Sequence, residues 1–370
     1  MNLKPVTLLA VSLLLCWACQ QNRKSATDKE NNHTTIPYYD YKQVALEDLP
    51  AHIIKEKKFV LLDDTQYPLQ EPDKIKLFGN RIYVVDDKKV FCKFSQDGAF
   101  ISKIGNRGQG PGEYIQVTDF AIDKNDNVHL LDGNGSKDRV FVYNAKGEFQ
   151  TLHNLPFEAD ILTCVSNGGY LFGLASWNNG AGKGYKIATA TPDCILTDSI
   201  LPYGELFDPN MWLSAYRFIS TPSGIFYNQT IDNTVYKFNE AGNLIETVEI
   251  DFGNRNVPDS DKTDIESKLD AFNDYTLLIN FTAMADHFII GSVREGKMRK
   301  AFILDTAEKK RYESTIDGYE HAWFDMKDNQ LVSYLSGDLS DNTTYPDHVI
   351  KHMKDGGHAL VIYTLNVEAR

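Results

Sequence analysis

The chain has 370 residues, of which 42% are apolar, so it is long enough for two ordinary domains or for one large closed β structure. It carries 51 acidic against 38 basic side chains, a net charge of -13. That balance, with Lys and Arg scattered among the acids, excludes a nucleic-acid surface, which needs clustered cations to displace phosphate counterions.

At the N-terminus, residues 1–18 read as a signal peptide. One Lys precedes an apolar run from Val6 to Leu15, too short for a membrane-spanning helix of about 20 residues and right for a signal core of about 7 to 15. Ala18 followed by Cys19 resembles a bacterial lipobox, which implies lipidation of Cys19. Cys16 and Trp17 stand where that motif has Leu and a small residue, and a simple cleaved signal is the alternative. Residues 19–40, with "QQNRKSATDKENNHTT" at their centre, lack apolar periodicity and read as a flexible tether to a folded body over residues 41–370. The expected address is therefore outside the cytoplasm, lipid-anchored to the outer membrane or cell surface and otherwise periplasmic, with the lipid as the only membrane contact. Gln20 after the cysteine, where inner-membrane retention uses Asp, favours the outer membrane. Cys92, Cys164 and Cys194 are an odd, widely spaced set and read as buried small hydrophobes.

Beyond the tether the chain repeats itself. "RIYVVDDKKVFCKFSQDGAFISKIG" (81–105) and "NVHLLDGNGSKDRVFVYNAKGEFQTLH" (127–153) share one grammar: an apolar strand ending in Asp, a polar turn, an alternating strand, a turn with Gly, and a last strand. Asp97-Gly98 and Lys146-Gly147 are hairpin signals. Looser copies start at Gly169, Gly224, His287 and Asn329, roughly 40 to 60 residues apart, the spacing of propeller blades. Each copy follows a shorter segment fit for an inner strand: "VTDFAID", "ILTCVS", "YRFIST", "LLINFTA" and "HAWFDMK". The expected fold is all-β, a six-bladed β-propeller of four-stranded blades, because radial closure removes exposed sheet edges. The sixth copy lacks a strand, which "KKFVLLDD" (57–64) would supply from the N-terminal side to close the ring. The glycine-rich "GNRGQGPGEY" (105–114) is a junction between blades, with Pro111 stiffening it, and precedes a strand and not a phosphate-binding helix.

That junction, followed by "VTDFAIDKNDNVHLLD" and "RVFVYNAKGEF", resembles NHL-type propeller repeats, and the chain as a whole is similar to the six-bladed propeller lipoproteins of bacterial envelopes. The likeness implies the fold and an anchored location. It implies no activity, since such propellers include binding scaffolds as well as lyases and esterase-like enzymes.

Two excursions break the rhythm. Residues 258–275 read as an amphipathic helix, capped by Asp259 or Ser260, with Ile265, Leu269 and Phe272 at helical spacing; residues 345–357 read as a second helix, opened by Pro346 and closed by Gly356-Gly357. On the second, His348 and His352 stand at i and i+4 without a third ligand or a glutamate base and read as solvated, with no metal assigned. Asp123, Asn125 and Asn127 alternate as calcium ligands do, but the central Gly and closing Glu are missing, so the stretch reads as a hairpin turn. No nucleophile signature appears. The loops that lead into inner strands and those joining second to third strands share one face. There the expected ligand-binding residues are Arg107, Asp132, Trp177, Trp212, Arg217, Arg294, His321 and Trp323, with Glu113, Tyr114 and Tyr216 beside them. The expectation is a monomeric binding or scaffold module for a glycan, peptide or envelope protein, with no cofactor and no nucleic acid. The alternative is a hydrolase or lyase using a divalent metal in the central channel.

Overall fold

The computed structural model describes residues 32–366 apart from 47–52, 134–137, 205–216, 230, 264, 269, 286, 316–319 and 340–343. Six antiparallel sheets form a ring, and His33–Arg370 is one compact unit. Blade one comprises β4 (Pro72–Phe78), β5 (Arg81–Asp86), β6 (Phe91–Ser95) and β7 (Phe100–Lys103). Blade two is β8 (Val117–Ile122) to β11 (Phe149–Asn154), and blade three β12 (Ala159–Cys164) to β15 (Leu196–Pro202). Blade four runs from β16 (Phe218–Thr221) to β19 (Leu244–Asp251), and blade five from β20 (Thr276–Ala285) to β23 (Lys310–Thr315). Blade six is β24 (Glu320–Lys327), β25 (Gln330–Leu335) and β26 (His358–Leu365), completed by β3 (Ile54–Leu62). The expected inner strands and the closing strand are all present. β3 pairs antiparallel with β26, Phe59 opposite Val361, so the chain's two ends share one sheet.

Each pair of neighbouring blades encloses its own wedge of core. Tyr83, Phe91, Phe120, Leu130 and Phe141 fill the gap between blades one and two. Val60, Leu62, Ile82, Phe94, Val332 and Leu360 fill the closing seam between six and one. Because every sheet buries both faces, its middle strands are buried throughout and mostly apolar: all five residues of β9 (Val128–Asp132), β13 (Tyr170–Leu174) and β17 (Gly224–Asn228) are buried. Cys92 and Cys194 lie in these wedges and Cys164 is half-buried beside them; all three thiols are free. At the glycine junction Gly112 has φ +74, and a Cβ there would stand 2.7 Å from the Phe149 ring, so both its conformation and its packing require glycine.

The tether boundary is different from the sequence reading. Residues 32–40, assigned there to the flexible segment, form β1 (Asn32–Pro37) and a short 3-10 turn, Tyr38–Asp40. β1 adds a fifth strand to the outer edge of blade four, and β2 (Lys42–Ala45) adds one, parallel to β23, to blade five. With β3 in blade six, the N-terminal segment straps three successive blades. Fully buried Tyr38 anchors the crossing, donating a hydrogen bond to Glu313 at 2.6 Å beneath the Arg311 guanidinium.

The first excursion is also corrected. Residues 258–275 form separate 3-10 turns, Asp259–Asp261, Ile265–Lys268 and Ala271–Asn273, and not one helix. Side chains hold the segment where a helix would use its backbone: Lys268 donates to the carbonyls of Ser260 and Thr263, and Tyr275 to Asp261. The second excursion is the helix α1 (Asp347–Lys354), whose Val349, Ile350 and Met353 pack on blade six. His348 is exposed, and His352 hydrogen-bonds the His358 carbonyl at 3.1 Å. Among the described residues no helix is long and apolar enough to cross a membrane.

Candidate binding face

Strand alternation sorts the connections into two sets. On one face, first-to-second and third-to-fourth strands are joined by turns of two to five residues. Asp123–Asn127 is one of these: the Asp123 carboxylate accepts the N–H groups of Asn125 and Asn127 and the Asn127 side-chain amide, with Asp126 at φ +64, which is the hairpin turn expected there. On the other face the strand ends are joined by the long connections, numbered 104–116 at the glycine junction, 175–184, 203–217, 252–275 with its 3-10 turns, and 336–357 with α1.

Of the expected site residues, Arg107, Asp132, Trp177, Arg217 and Arg294 lie in connections of that second face or at strand ends that open on it, with differing roles. Trp177 is 45% exposed on the 175–184 connection. Arg107 is exposed, its Nε donating to the Ile115 carbonyl at 3.1 Å. Glu113 braces the junction by accepting the Gly110 N–H at 2.9 Å. Half-buried Arg294 is pinned between the Gly296 carbonyl at 2.7 Å and Asn273 at 3.4 Å, tying two loops together. Trp212 and Tyr216 lie outside the described residues, as do the side chains of His321 and Trp323, whose backbone belongs to β24.

Asp132 and Tyr114 stand in buried, hydrogen-bonded positions. Both are fully buried, and Tyr114 donates to the Lys89 carbonyl at 3.0 Å. Asp132 accepts the Gln116 N–H at 2.7 Å and pairs with Arg139. Asp86 does the same in blade one, accepting Gln70 N–H at 2.8 Å and Val90 N–H at 2.7 Å. The strand-ending Asp of the repeat thus fastens the incoming loop to its own blade, because buried N–H groups need an acceptor.

Sequence reasoning missed the charged group on the inner strands. Arg217, at the start of β16, sits within electrostatic reach of Asp325 on β24 and Asp119 on β8. Asp119 lies 3.5 Å from Lys74 and 3.9 Å from Lys76 of β4 and accepts the Leu162 N–H at 3.0 Å. Burial opposes the charge on Asp119, but the two lysines and the backbone donors outweigh it and its pKa is lowered. Asp325 has fewer compensating partners, and burial pushes it up to about 6. Burial lowers the pKa of Arg217, against the pull of Asp325. The available signal was Lys74 and Lys76 alternating with Ile75 and Leu77, a stretch that the sequence reading assigned to no strand. Among the described residues no three His, Cys, Asp or Glu side chains gather to hold a metal ion.

The chain belongs to a family described as a domain of unknown function, DUF4934, whose model matches residues 42–353. The solved structure of a Bacteroides fragilis protein described as exported is similar, with a TM-score of 0.69 at 15% identity over 91% of this chain and 99% of that one. A member of the DUF4221 family from Bacteroides vulgatus is similar at a TM-score of 0.52 and 9% identity, over 86% of this chain and 98% of that one. These likenesses show the shared propeller fold. No curated protein matches in sequence.

Proposed function

We propose that the protein is an exported recognition or scaffold propeller, tethered to the envelope by a lipid on Cys19, that binds a glycan, peptide or partner protein on its long-loop face. One observation carries this reading: from β3 onward every connection longer than five residues joins strand ends on one face, while the strand ends on the other are joined only by tight turns. Long connections are not needed to close a propeller, and exposed loops on a rigid scaffold are where binding residues concentrate. Trp177, exposed on such a loop, and Arg107 are the residue types enriched at binding hot spots. The similar Bacteroides fragilis protein, described as exported, and the lipobox-like Ala18-Cys19 support the location.

Cys19→Ala tests the anchor: the wild-type chain is expected to partition with membranes and incorporate radiolabelled palmitate, the variant to do neither. Equal palmitate labelling of both would defeat it.

A further inference from the structure

At the margin of the long-loop face, where the N-terminal strap crosses from blade four to blade five, the strap and the turn after β19 enclose a cavity of about 290 Å³. Its apolar walls are Pro37, Tyr39 and Phe252; Asp40, Asn254 and Arg255 form its polar rim. Tyr39, Phe252 and Arg255 are held in place before any ligand arrives. Tyr39 donates to Glu295 at 2.6 Å, its hydroxyl lies 2.7 Å from that of Thr276, and Arg311 stacks 5.0 Å from its ring centre. Phe252 is fully buried and meets Tyr38 and Tyr39 edge-on. Arg255 is steadied by its Nε, which donates to Thr276 at 3.2 Å. Asp40 and Asn254, both exposed, have no hydrogen-bond partner among the described residues.

We propose that this cavity is a saccharide subsite taking one neutral hexose-type unit of a glycan. The volume stands at the lower end of ligand pockets, about 300 Å³, which suits a single ring and is too small for a folded peptide segment. A carboxylate, an amide and a guanidinium on one rim offer both acceptors and donors, the set that adjacent hydroxyls satisfy in pairs. The exposed Tyr39 ring, backed by Phe252 and flanked by Pro37, suits the C–H face of a sugar. Asp251, also on the lining, gives the pocket two carboxylates to one guanidinium, which disfavours an anionic ligand. Because Tyr39 and Arg255 are already immobilised, little ordering opposes binding. Pro37, Tyr39 and Asp40 come from the strap, so an occupied pocket also holds the strap against the blades. The assignment rests on reading the long-loop face as a recognition surface, and names its ligand class at a place separate from Trp177.

The experiment is saturation-transfer NMR of the full-length chain with glucose, galactose, mannose and N-acetylglucosamine, each as the free sugar, followed by titration of those that respond. At least one is expected to bind. Asp40→Ala and Asn254→Ala are each expected to weaken it roughly tenfold without moving the melting temperature of the free chain, since both side chains are exposed and unbonded. Trp177→Ala is expected to leave that affinity in place. Loss of sugar binding in Trp177→Ala with full retention in Asp40→Ala would overturn the pocket while sparing the long-loop reading. Silence from all four sugars would also overturn it, leaving that face to peptide or protein partners.

Discussion

Leu77 of blade one donates its backbone N–H to Asp325 of blade six at 2.8 Å, so a buried carboxyl bridges the inner edge of the seam where the ends of the chain meet. Burial pushes that carboxyl up to about 6 from an ordinary 3.8. The folded state therefore holds a proton that the unfolded chain releases. The stabilising contribution of Asp325 is complete below pH 3.8 and is lost as pH rises through about 6. Asp325→Asn keeps an acceptor for Leu77 and removes the titration. Urea unfolding across this range should show the variant gaining on the parent as pH rises, by on the order of 2 kcal/mol at neutrality. Parallel pH profiles for the two proteins would show that Asp325 is not held protonated.

Asp119 gives the opposite sign. Its folded-state pKa is lowered, so its contribution is present above the ordinary carboxylate range and is lost as pH falls through the folded value. Asp119→Ala leaves the Leu162 N–H and two lysines without their acceptor and should cost about 2–4 kcal/mol at neutral pH. Denaturant midpoints unchanged at pH 7 would contradict that.

Ring closure can be struck from its outer side as well. Gly98, in the hairpin turn of blade one, has φ +94, and a Cβ there would stand 2.0 Å from the Leu61 carbonyl oxygen of β3. Its own carbonyl accepts the Asp63 N–H at 2.9 Å. Gly98→Ala therefore combines a strained conformation with a backbone clash at the seam, and about 2–4 kcal/mol should be lost in equilibrium unfolding. Gly79, at φ +54, has nothing within 4 Å of its would-be Cβ, so Gly79→Ala should cost about 1 kcal/mol, from conformation alone.

The strap makes a separable prediction. Tyr38→Ala empties a fully buried ring site between Phe252, Phe302 and Arg311 and strips Glu313 of its donor, so it should cost about 3–5 kcal/mol. Hydrogen exchange should then speed up first in residues 32–45 and in β23. Uniform acceleration around the whole ring would show that the strap is not an individually releasable element.

How far the sequence disclosed this architecture depends on where the apolar side chains fall. Blades one and two were legible because β5 and β9 are mostly apolar runs ended by Asp, and because Gly98 and Gly147 mark the hairpins. β3 was legible because Phe59–Leu62 alternates into a buried edge. β1 was not: its exposed Asn32, His33, Thr34 and Thr35 contribute backbone pairing to an outer edge, and residues of that composition also make disordered tethers. For residues 258–275, helical spacing of Ile265, Leu269 and Phe272 outvoted the Asp and Ser residues that favour local turns. The loop-fastening bonds of Asp132 were not legible because sequence alone cannot tell an acid that faces a ligand from one that fastens a loop. Lys74, Lys76, Asp119 and Asp325 were missed because their meeting depends on strands from three blades.

The most direct test of the long-loop face as the recognition surface is one glycan and peptide array probed with three full-length proteins: the wild-type chain, Arg107→Ala/Trp177→Ala, and Lys124→Ala on the tight-turn face. The account predicts wild-type ligands retained by Lys124→Ala and weakened at least tenfold by the double variant. Ligands lost with Lys124→Ala and kept by the double variant would place recognition on the opposite face and contradict it.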